Sequence, residues 1–485
     1  MGSFTLSGKT ATLSDILRML SPRSVAVIGA SSDAESLRGR LMQVMLGHPY
    51  AGRVYPVSRS ATEICGLAAY RSVAELPEIV DLAVLIIPAR FVAEELERCG
   101  RAGIRTALIL ASGFAEEPGD DGAARQAEIK RIARRYGMAV SGPNSEGFAN
   151  LAASLVPTFS PVMEFEEGAG PAASAARRPQ LAVIAQSGGM GFAFYDRGRA
   201  TGLDFRYVVT TGNEVCLETF DYVDALLDEG SVDIFLLLLE DVKRSDTFER
   251  VAAKALAAGK PLIVSKIGQS EPGQRAAAAH TAADAGDYAR YRALFERYGV
   301  IEGRDHDEML DIAAAFAAFG TRLPAGNRVG ICTASGGGGG WLADACVAAG
   351  LEVPILDPLT RAAIDVHLPP YGTSQNPVDG TAQAIFSLGY AELARLVAAS
   401  PEVDGVMVVA STRRAHTLER DRAALTALAQ TATKPILFWS YTEIAPESVA
   451  VLGEAGLPLY RGMHNCARGM RAMAAYRAAR ERFLR

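Results

Sequence analysis

The sequence predicts an α/β protein built from three doubly wound domains, each with a parallel sheet. Short apolar runs alternate with amphipathic stretches along the chain, and this alternation is typical of βαβ units. The length of 485 residues corresponds to roughly three domains at about 150 residues each. Hydrophobic residues make up 49% and charged residues 21% of the chain, so each domain can bury an apolar core.

The first domain is expected over residues 1–155. Its helical patterns cover Phe91–Arg101 and Gly122–Tyr136, where apolar residues recur with the period of a helix. A segment rich in Ala, Gly and Pro over residues 160–180 is interpreted as a loop between domains. The strand candidates of this domain are Val25–Ile28, Val54–Val57, Leu82–Ile87 and Ala107–Ala111.

The second and third domains, expected over residues 156–322 and 323–485, look like copies of one another. Residues 181–205 and 329–353 share the order of strand, glycine-rich turn and helix, and two later strands also match. Three landmarks in the same order indicate an internal duplication. The strand candidates are Leu181–Ala185, Phe205–Val209, Ile234–Leu239 and Pro261–Ser265 in the second domain, and Val329–Cys332, Gly405–Val409 and Pro435–Trp439 in the third, which ends in a helix from about Asn465.

The two copies differ in one segment. The span from Lys260 to Gly299 is longer than the matching span from Lys434 to Gly456, and the additional residues include QRAAAAHTAADAG with His280. Functional residues concentrate on loops that a rigid scaffold positions. We therefore expect His280 to lie on a functional loop of the second domain.

Charge and composition exclude several classes of protein. The 49 basic and 55 acidic side chains give a net charge of −6, which argues against a partner such as a nucleic acid or a membrane surface. No stretch approaches the about 20 apolar residues of a membrane span, and the first residues do not form a signal peptide, so we expect a cytoplasmic protein. Six scattered cysteines indicate neither disulfides nor a zinc ribbon, and no metal site is expected.

Two glycine-containing turns are candidate anion sites. The first strand leads into Gly29-Ala30-Ser31-Ser32, and a following helix would offer unpaired N–H groups to a phosphate. The segment lacks the second and third glycines of a dinucleotide fingerprint, and the next strand ends near Arg59 rather than at an acidic residue. A nucleotide-like anionic ligand is the preferred interpretation, and a tight turn without a ligand is the alternative.

The second candidate anion site is the Ser187-Gly188-Gly189 turn, which again joins a strand to a helix. Glu240 follows the long apolar strand at the edge where open α/β sheets bind ligands. A carboxylate there could orient an imidazole and stabilise its charged form. An ordinary acid at a strand end and a structural histidine are the corresponding alternatives.

These segments together resemble the CoA-binding alpha subunits of the NDP-forming acyl-CoA synthetases, the superfamily of succinyl-CoA synthetase. The resemblance covers nearly the whole chain. The segments that carry it are SVAVIGASS (24–32), VYPV (54–57), VDLAVLIIPA (80–89), SGPN (141–144), IAQSGGMG (184–191), TTGNE (210–214), HT (280–281) and QNPVDG (375–380).

The resemblance implies a Rossmann-like CoA-binding domain followed by two flavodoxin-like domains. It implies a ligase that converts a carboxylate, CoA and ATP to acyl-CoA, ADP and phosphate through an acyl phosphate and a phosphohistidine. By position, His280 matches the phosphorylated histidine, Glu240 its orienting carboxylate, and Ser187, Gly188 and Gly189 the helix start that holds the phosphate. The positions that match CoA contacts are Gly29, Ser31, Ser32, Arg59 and Ser112.

The resemblance also implies a partner. The ATP-grasp portion that binds ATP or ADP with Mg in this family has no counterpart before Arg485, so a separate beta subunit is expected. The assembly would be a hetero-oligomer or a homodimer, acting on a small carboxylic acid. Two alternatives stay open. One is an inactive regulatory protein that binds CoA or acyl-CoA, which is permitted because the segment AHTAADAG departs from the usual sequence of the family around this histidine. The other is a nicotinamide oxidoreductase, which the missing dinucleotide fingerprint disfavours.

Overall fold

The computed structural model describes the backbone of residues 12–164, 178–281 and 288–485, and the side chains of these residues except 277–281. The chain forms two compact units, Met1–Tyr298 and Gly299–Arg485. The first unit contains two large sheets and the second contains one. The domain boundaries near residues 155 and 322 stay predictions of the sequence.

The elements of the first unit alternate between strands and helices, as the sequence predicts. The helices are α1 (Leu13–Leu20), α2 (Leu37–Gly47), α3 (Ala89–Arg101), α4 (Asp120–Tyr136), α5 (Gly188–Arg199), α6 (Thr219–Glu229), α7 (Ser245–Ala258), α8 (Glu271–Thr281) and α9 (Tyr288–Arg297). The strands are β1 (Ser24–Ile28), β2 (Arg53–Val57), β3 (Glu63–Ile64), β4 (Leu67–Ala68), β5 (Leu82–Leu85), β6 (Thr106–Ile109), β7 (Ala139–Ser141), β8 (Phe148–Asn150), β9 (Gln180–Ala185), β10 (Asp204–Thr210), β11 (Ile234–Leu239) and β12 (Leu262–Lys266).

The second unit continues the alternation. Its helices are α10 (His306–Phe319), α11 (Gly336–Ala348), α12 (Pro358–Asp365), α13 (Thr381–Ala398), α14 (His416–Arg420), α15 (Arg422–Thr431), α16 (Pro446–Ala455) and α17 (Met463–Leu484). Its strands are β13 (Ile301–Glu302), β14 (Val329–Thr333), β15 (Val378–Asp379), β16 (Gly405–Ala410), β17 (Ile436–Ser440) and β18 (Leu459–Tyr460).

The first sheet has the strand order β2-β1-β5-β6-β7, and all of its neighbouring strands are parallel. Helices cover both faces of a parallel sheet, so its strands are continuous apolar runs. Strands β1, β5 and β6 are accordingly buried at every position. The chain adds β2 on one side of β1 and then β5, β6 and β7 on the other side. The topological switch point therefore lies between β1 and β5, which is where open α/β sheets bind ligands.

The second sheet of the first unit places β12, β11, β9, β10 and β8 side by side. The first four are parallel, and β8 pairs antiparallel with β10. The topological switch point lies between β9 and β11. Because these two strands are parallel, Gln186 and Glu240, which follow them, lie at the same edge of the sheet. This edge carries the candidate site.

The sheet of the second unit has the order β15-β14-β16-β17-β18, with parallel neighbours. Four of its strands repeat the arrangement of β10, β9, β11 and β12, which agrees with the internal repeat in the sequence. Helices α10 and α17 pack together in this unit, with the rings of Phe316 and Tyr476 edge to face at 5.4 Å. In the described parts of both units, no helix has the length and apolar composition that a membrane crossing requires.

Candidate active site

A cavity of about 560 Å³ lies in the first unit, where the strand ends of its two large sheets come together. The first sheet contributes Ile86–Pro88 after β5 and Leu110–Ser112 after β6. The second sheet contributes Gln186–Gly189 after β9 and Glu240 after β11. Five of the predicted residues therefore line one cavity: Ser112, Ser187, Gly188, Gly189 and Glu240.

The start of helix α5 forms one wall of this cavity. Ser187 is the N-cap residue in an extended conformation, and Gly188 and Gly189 begin the first turn. The first backbone N–H groups of a helix have no acceptor within the helix, and the helix dipole places partial positive charge there. This wall is suited to bind an anion such as a phosphoryl group.

Glu240 also lines the cavity, with only 5% of its surface exposed. Its backbone N–H donates to Oε1 of Gln186 at 2.5 Å, while the Gln186 amide donates to Oε2 of Glu214 at 2.8 Å and to the carbonyl of Asp241 at 2.9 Å. Nζ of Lys266 donates to the Glu240 carbonyl at 2.6 Å. These bonds fix the backbone of Glu240 at the end of β11.

Six polar residues of the cavity escaped the sequence analysis as individual site residues: Arg38, Asn144, Ser145, Glu146, Gln186 and Asn213. Arg38 lies in the first turn of α2, and Nδ2 of Asn144 donates to Oδ1 of Asn213 at 3.2 Å. No local pattern marks Arg38 or Glu146, because each reaches the cavity only through the packing of the two sheets. Asn144 and Asn213 do fall in segments that carry the family resemblance.

The Gly29–Ser32 turn follows β1 but does not line the cavity. Gly29 has φ +94°, and a Cβ there would lie 2.6 Å from the Ile86 carbonyl oxygen. The turn therefore packs against Ile86, which does line the cavity. The hydroxyl of Ser31 accepts the N–H of Asp33, and that of Ser32 accepts the N–H of Cys65. Buried Ala30 completes the turn.

The expectation that a helix follows Gly29–Ser32 directly was wrong. Helix α2 begins at Leu37, with Ser36 as its N-cap and the Ser36 hydroxyl accepting the N–H of Gly39 at 3.1 Å. Asp33 also accepts the N–H of Glu35. Short polar side chains that bond to nearby backbone favour turns over helix, which explains the delay.

Arg59 stands apart from the cavity and is already paired. Its guanidinium contacts Oε1 of buried Glu95 at 2.9 Å and lies 5.9 Å from the centre of the Phe91 ring. Its side chain is 63% exposed, so a cationic surface remains available to an anionic ligand. Its assignment to CoA stays a prediction.

Comparisons with known proteins decide the family. The model of the CoA binding domain matches residues 23–150, that of the succinyl-CoA ligase like flavodoxin domain residues 178–316, and that of the ligase-CoA domain residues 329–429. The alpha subunit of the ADP-forming acetate–CoA ligase II of Pyrococcus furiosus is 35% identical over 80% of this chain and 80% of its own length. The chain belongs to the ADP-forming acyl-CoA synthetases.

Two further relatives of this acyl-CoA synthetase chain differ in how much of their own length the chain covers. A dinucleotide-forming acetyl-coenzyme A synthetase from Candidatus Korarchaeum cryptofilum, solved with phosphate and ADP, has a TM-score of 0.84 and 26% identity, covering 97% of this chain and 98% of that one. The ADP-forming acetate–CoA ligase I of Archaeoglobus fulgidus is 35% identical over 75% of this chain but only 50% of its own length. The chain thus spans about half of that longer relative. The predicted α/β fold and acid–thiol ligase class are confirmed.

The backbone of His280 lies in the last turn of α8 in this synthetase chain. The expectation of a loop at this position was wrong, because the run of alanines before His280 has high helix propensity. The side chain of His280 and the segment 282–287 lie outside the described residues. Its role therefore stays a prediction.

Proposed function

We propose that this chain is the CoA-binding, phosphoryl-carrying alpha subunit of an ADP-forming acyl-CoA synthetase. The enzyme would convert a small carboxylic acid, CoA and ATP into acyl-CoA, ADP and phosphate. The observation that carries the proposal is the single cavity that joins strand ends of the first sheet to Ser187–Gly189 and Glu240 of the second. An acyl transfer from phosphate to CoA needs both groups in one place.

The chemistry requires activation of the acid. A carboxylate resists attack by a thiol until one of its oxygens becomes a good leaving group, and phosphorylation supplies that group. A histidine can carry the phosphoryl group as a covalent intermediate, and His280 takes this role in the proposal. Its phosphoryl group passes to a carboxylate oxygen, and the CoA sulfur then displaces phosphate from the acyl carbon.

The described residues would stabilise these steps electrostatically. The first N–H groups of α5, with the Ser187 hydroxyl, face the position of the phosphoryl charge. Glu240, fixed in its backbone by Gln186 and Lys266, would orient the imidazole and favour its cationic form. Both contributions depend on groups that are held in place before the reaction begins.

CoA would bind to the first sheet. The Gly29–Ser32 turn abuts Ile86 at the topological switch point between β1 and β5, a usual ligand position in open α/β sheets. Arg59 would contact a phosphate of CoA from outside the cavity, and Ser112 would contact the end of CoA that enters the cavity.

The nucleotide would bind to a partner subunit of the ATP-grasp class, together with Mg. Support comes from the Pyrococcus furiosus relative, which is named as an alpha subunit, and from the longer Archaeoglobus fulgidus relative, of which this chain covers half. In this proposal, the phosphorylated histidine would move between the partner and the cavity.

Reconstitution tests the proposal. The chain and a candidate ATP-grasp partner are co-expressed, purified as a complex and supplied with ATP, CoA and a panel of carboxylic acids, and ADP and acyl-CoA are both quantified. We expect equal amounts of the two products from the complex only. ADP formation by this chain alone at about 1 per second or faster would contradict the need for a partner.

A further inference from the structure

Glu146 is a carboxylate of the cavity that the proposed reaction does not use. The backbone around it is anchored to the end of β10, because the N–H of Glu146 donates to Oγ1 of Thr210 at 3.1 Å and the Ser145 hydroxyl donates to the Thr210 carbonyl at 2.7 Å. The hydroxyl of Ser145 also accepts the N–H of Gly147 at 2.9 Å. Residue 146 is therefore held at one position at the cavity wall.

The side chain of Glu146 lies against the first turn of α5. A Cβ on Gly188 would lie 2.7 Å from Cγ of Glu146, and a Cβ on Gly189 would lie 3.6 Å from its Oε1. The glycines at these positions thus leave room for the glutamate as well as for an anion. The carboxylate lies next to the place where the proposed acyl phosphate forms.

Glu146 makes no ion pair with any of the described residues. Arg38 lines the same cavity but does not pair with it, and a hydrogen bond from the Ser160 hydroxyl favours the charged form of Glu146. Burial raises the pKa of the Glu146 carboxyl above its ordinary value, and the bond with Ser160 opposes this rise. A carboxylate in such surroundings is stabilised by any donor that a ligand brings.

The substrate acid itself adds negative charge to this site. An unsubstituted carboxylate would enter beside Glu146 without bringing a donor for it. An acid whose acyl chain carries a hydroxyl or an ammonium group can donate to Glu146 while its carboxylate faces the phosphoryl group. A charge-assisted bond of this kind is about twice as strong as a neutral one.

We infer that Glu146 determines substrate specificity by selecting carboxylic acids whose acyl chain carries a hydrogen-bond donor, either a hydroxyl or an ammonium group. The inference rests on the proposed function and names the substrate class of its site. A site that hydrogen-bonds a substituent discriminates strongly against the analogue that lacks it, since the polar group of the protein is then left unpaired.

The test compares matched acids on the complete complex with its partner. Propionate and butyrate are compared with their hydroxy and amino derivatives, and kcat/KM is measured for the wild type, Glu146→Gln and Glu146→Asp. The control variant is Glu128→Gln, which neutralises an exposed carboxylate paired with Arg131 on α4. CoA affinity serves as the check that each variant is folded.

We expect the wild type and Glu128→Gln to prefer the substituted acids by about 10- to 100-fold. Glu146→Gln should lose most of the preference for the amino derivatives and keep part of the preference for the hydroxy derivatives. The reason is that an amide oxygen still accepts a hydrogen bond but carries no charge. Glu146→Asp, which keeps the charge on a shorter side chain, should retain a reduced preference for both.

Two results would overturn the inference while leaving the proposed function intact. One is equal use of substituted and unsubstituted acids by the wild type. The other is a Glu146→Gln variant that changes the turnover of every acid by the same factor, as expected if the carboxylate only occupies the phosphate site at rest. Absence of turnover with every acid would instead contradict the proposed function, and the inference would fall with it.

Discussion

Oε1 of Gln186 accepts the backbone N–H of Glu240 at 2.5 Å and that of Asp241 at 3.0 Å. One side chain thereby joins the ends of two neighbouring strands, β9 and β11, at the edge of the candidate site. The amide group of the same residue donates to Glu214 and to the Asp241 carbonyl. Gln186 is a positioning residue, since it holds the backbone that carries Glu240.

Gln186→Ala should therefore lower both stability and phosphorylation. The substitution leaves buried donors and acceptors without partners, which costs about 2–3 kcal/mol of unfolding free energy. Urea unfolding and phosphate labelling of the chain with its partner measure the two effects. Gln180→Ala, at the opposite end of β9, is the control and should change neither by much. Equal behaviour of the two variants would contradict the role of Gln186.

Gly29 combines a left-handed backbone with close packing. At φ +94°, an alanine Cβ would meet the Ile86 carbonyl at 2.6 Å. Gly66 has a comparable φ of +79°, but nothing lies within 4 Å of its Cβ position. Gly66→Ala should lower the unfolding free energy by about 1 kcal/mol from the backbone alone. Gly29→Ala should cost about 3 kcal/mol and weaken CoA binding.

Thermal unfolding and calorimetric titration with CoA distinguish the two glycine variants. Similar losses of stability in both would mean that the loop relaxes away from Ile86. That result would contradict the close approach between β1 and β5 on which the proposed CoA site depends.

Arg59 tests the assignment of the CoA site from outside the cavity. Arg59→Gln should weaken CoA binding to the full chain by about 10-fold, because one charge-assisted contact to phosphate is lost. Its pairing with Glu95 makes the effect smaller than for an unpaired arginine. Arg131→Gln, on the exposed face of α4, is the control for net charge. Unchanged affinity in Arg59→Gln would remove Arg59 from the site.

The raised pKa of the Glu218 carboxyl should make the free energy of unfolding depend on pH. Burial raises the pKa of its carboxyl to about 7, although Arg244 at 2.8 Å favours the charged form. The folded chain thus binds a proton between about pH 4.5 and 7 that the unfolded chain releases. The stability contributed by this group is present at low pH and is lost as the pH rises through about 7.

Glu218→Gln should remove this pH dependence. Between pH 5 and pH 8, the unfolding free energy of the wild type should fall by about 1–3 kcal/mol more than that of the variant. Urea unfolding at the two pH values measures the difference. Parallel pH profiles for the two proteins would show that Glu218 titrates near its ordinary value.

Sequence reasoning recovered the parts of the fold that local patterns specify. Strand β11 was predicted with its observed bounds, Ile234–Leu239, because a strand buried on both faces is a continuous apolar run. The delayed start of α2 was missed, since it depends on hydrogen bonds of Asp33 and Ser36. The helical position of His280 was also missed, because a functional interpretation outweighed the propensity of the alanines before it.

The candidate site was predictable only in part, because some of its residues depend on packing between the sheets rather than on local sequence patterns. Ser187–Gly189 and Glu240 follow strands of the same sheet, so their proximity follows from the strand order. Glu146 and Arg38 reach the cavity from loop and helix segments whose positions depend on packing between sheets. No periodicity or spacing in the sequence encodes that convergence.

The most direct test of the account is the position of the phosphoryl group. Incubation of the chain with labelled ATP and a candidate ATP-grasp partner should leave a phosphate that is labile in acid and stable in base, and peptide mapping should place it on His280 rather than on Thr281. His280→Ala should lose the label and net turnover while still binding CoA. An active His280→Ala variant, or a fully active chain that never carries the label, would contradict the phosphohistidine mechanism.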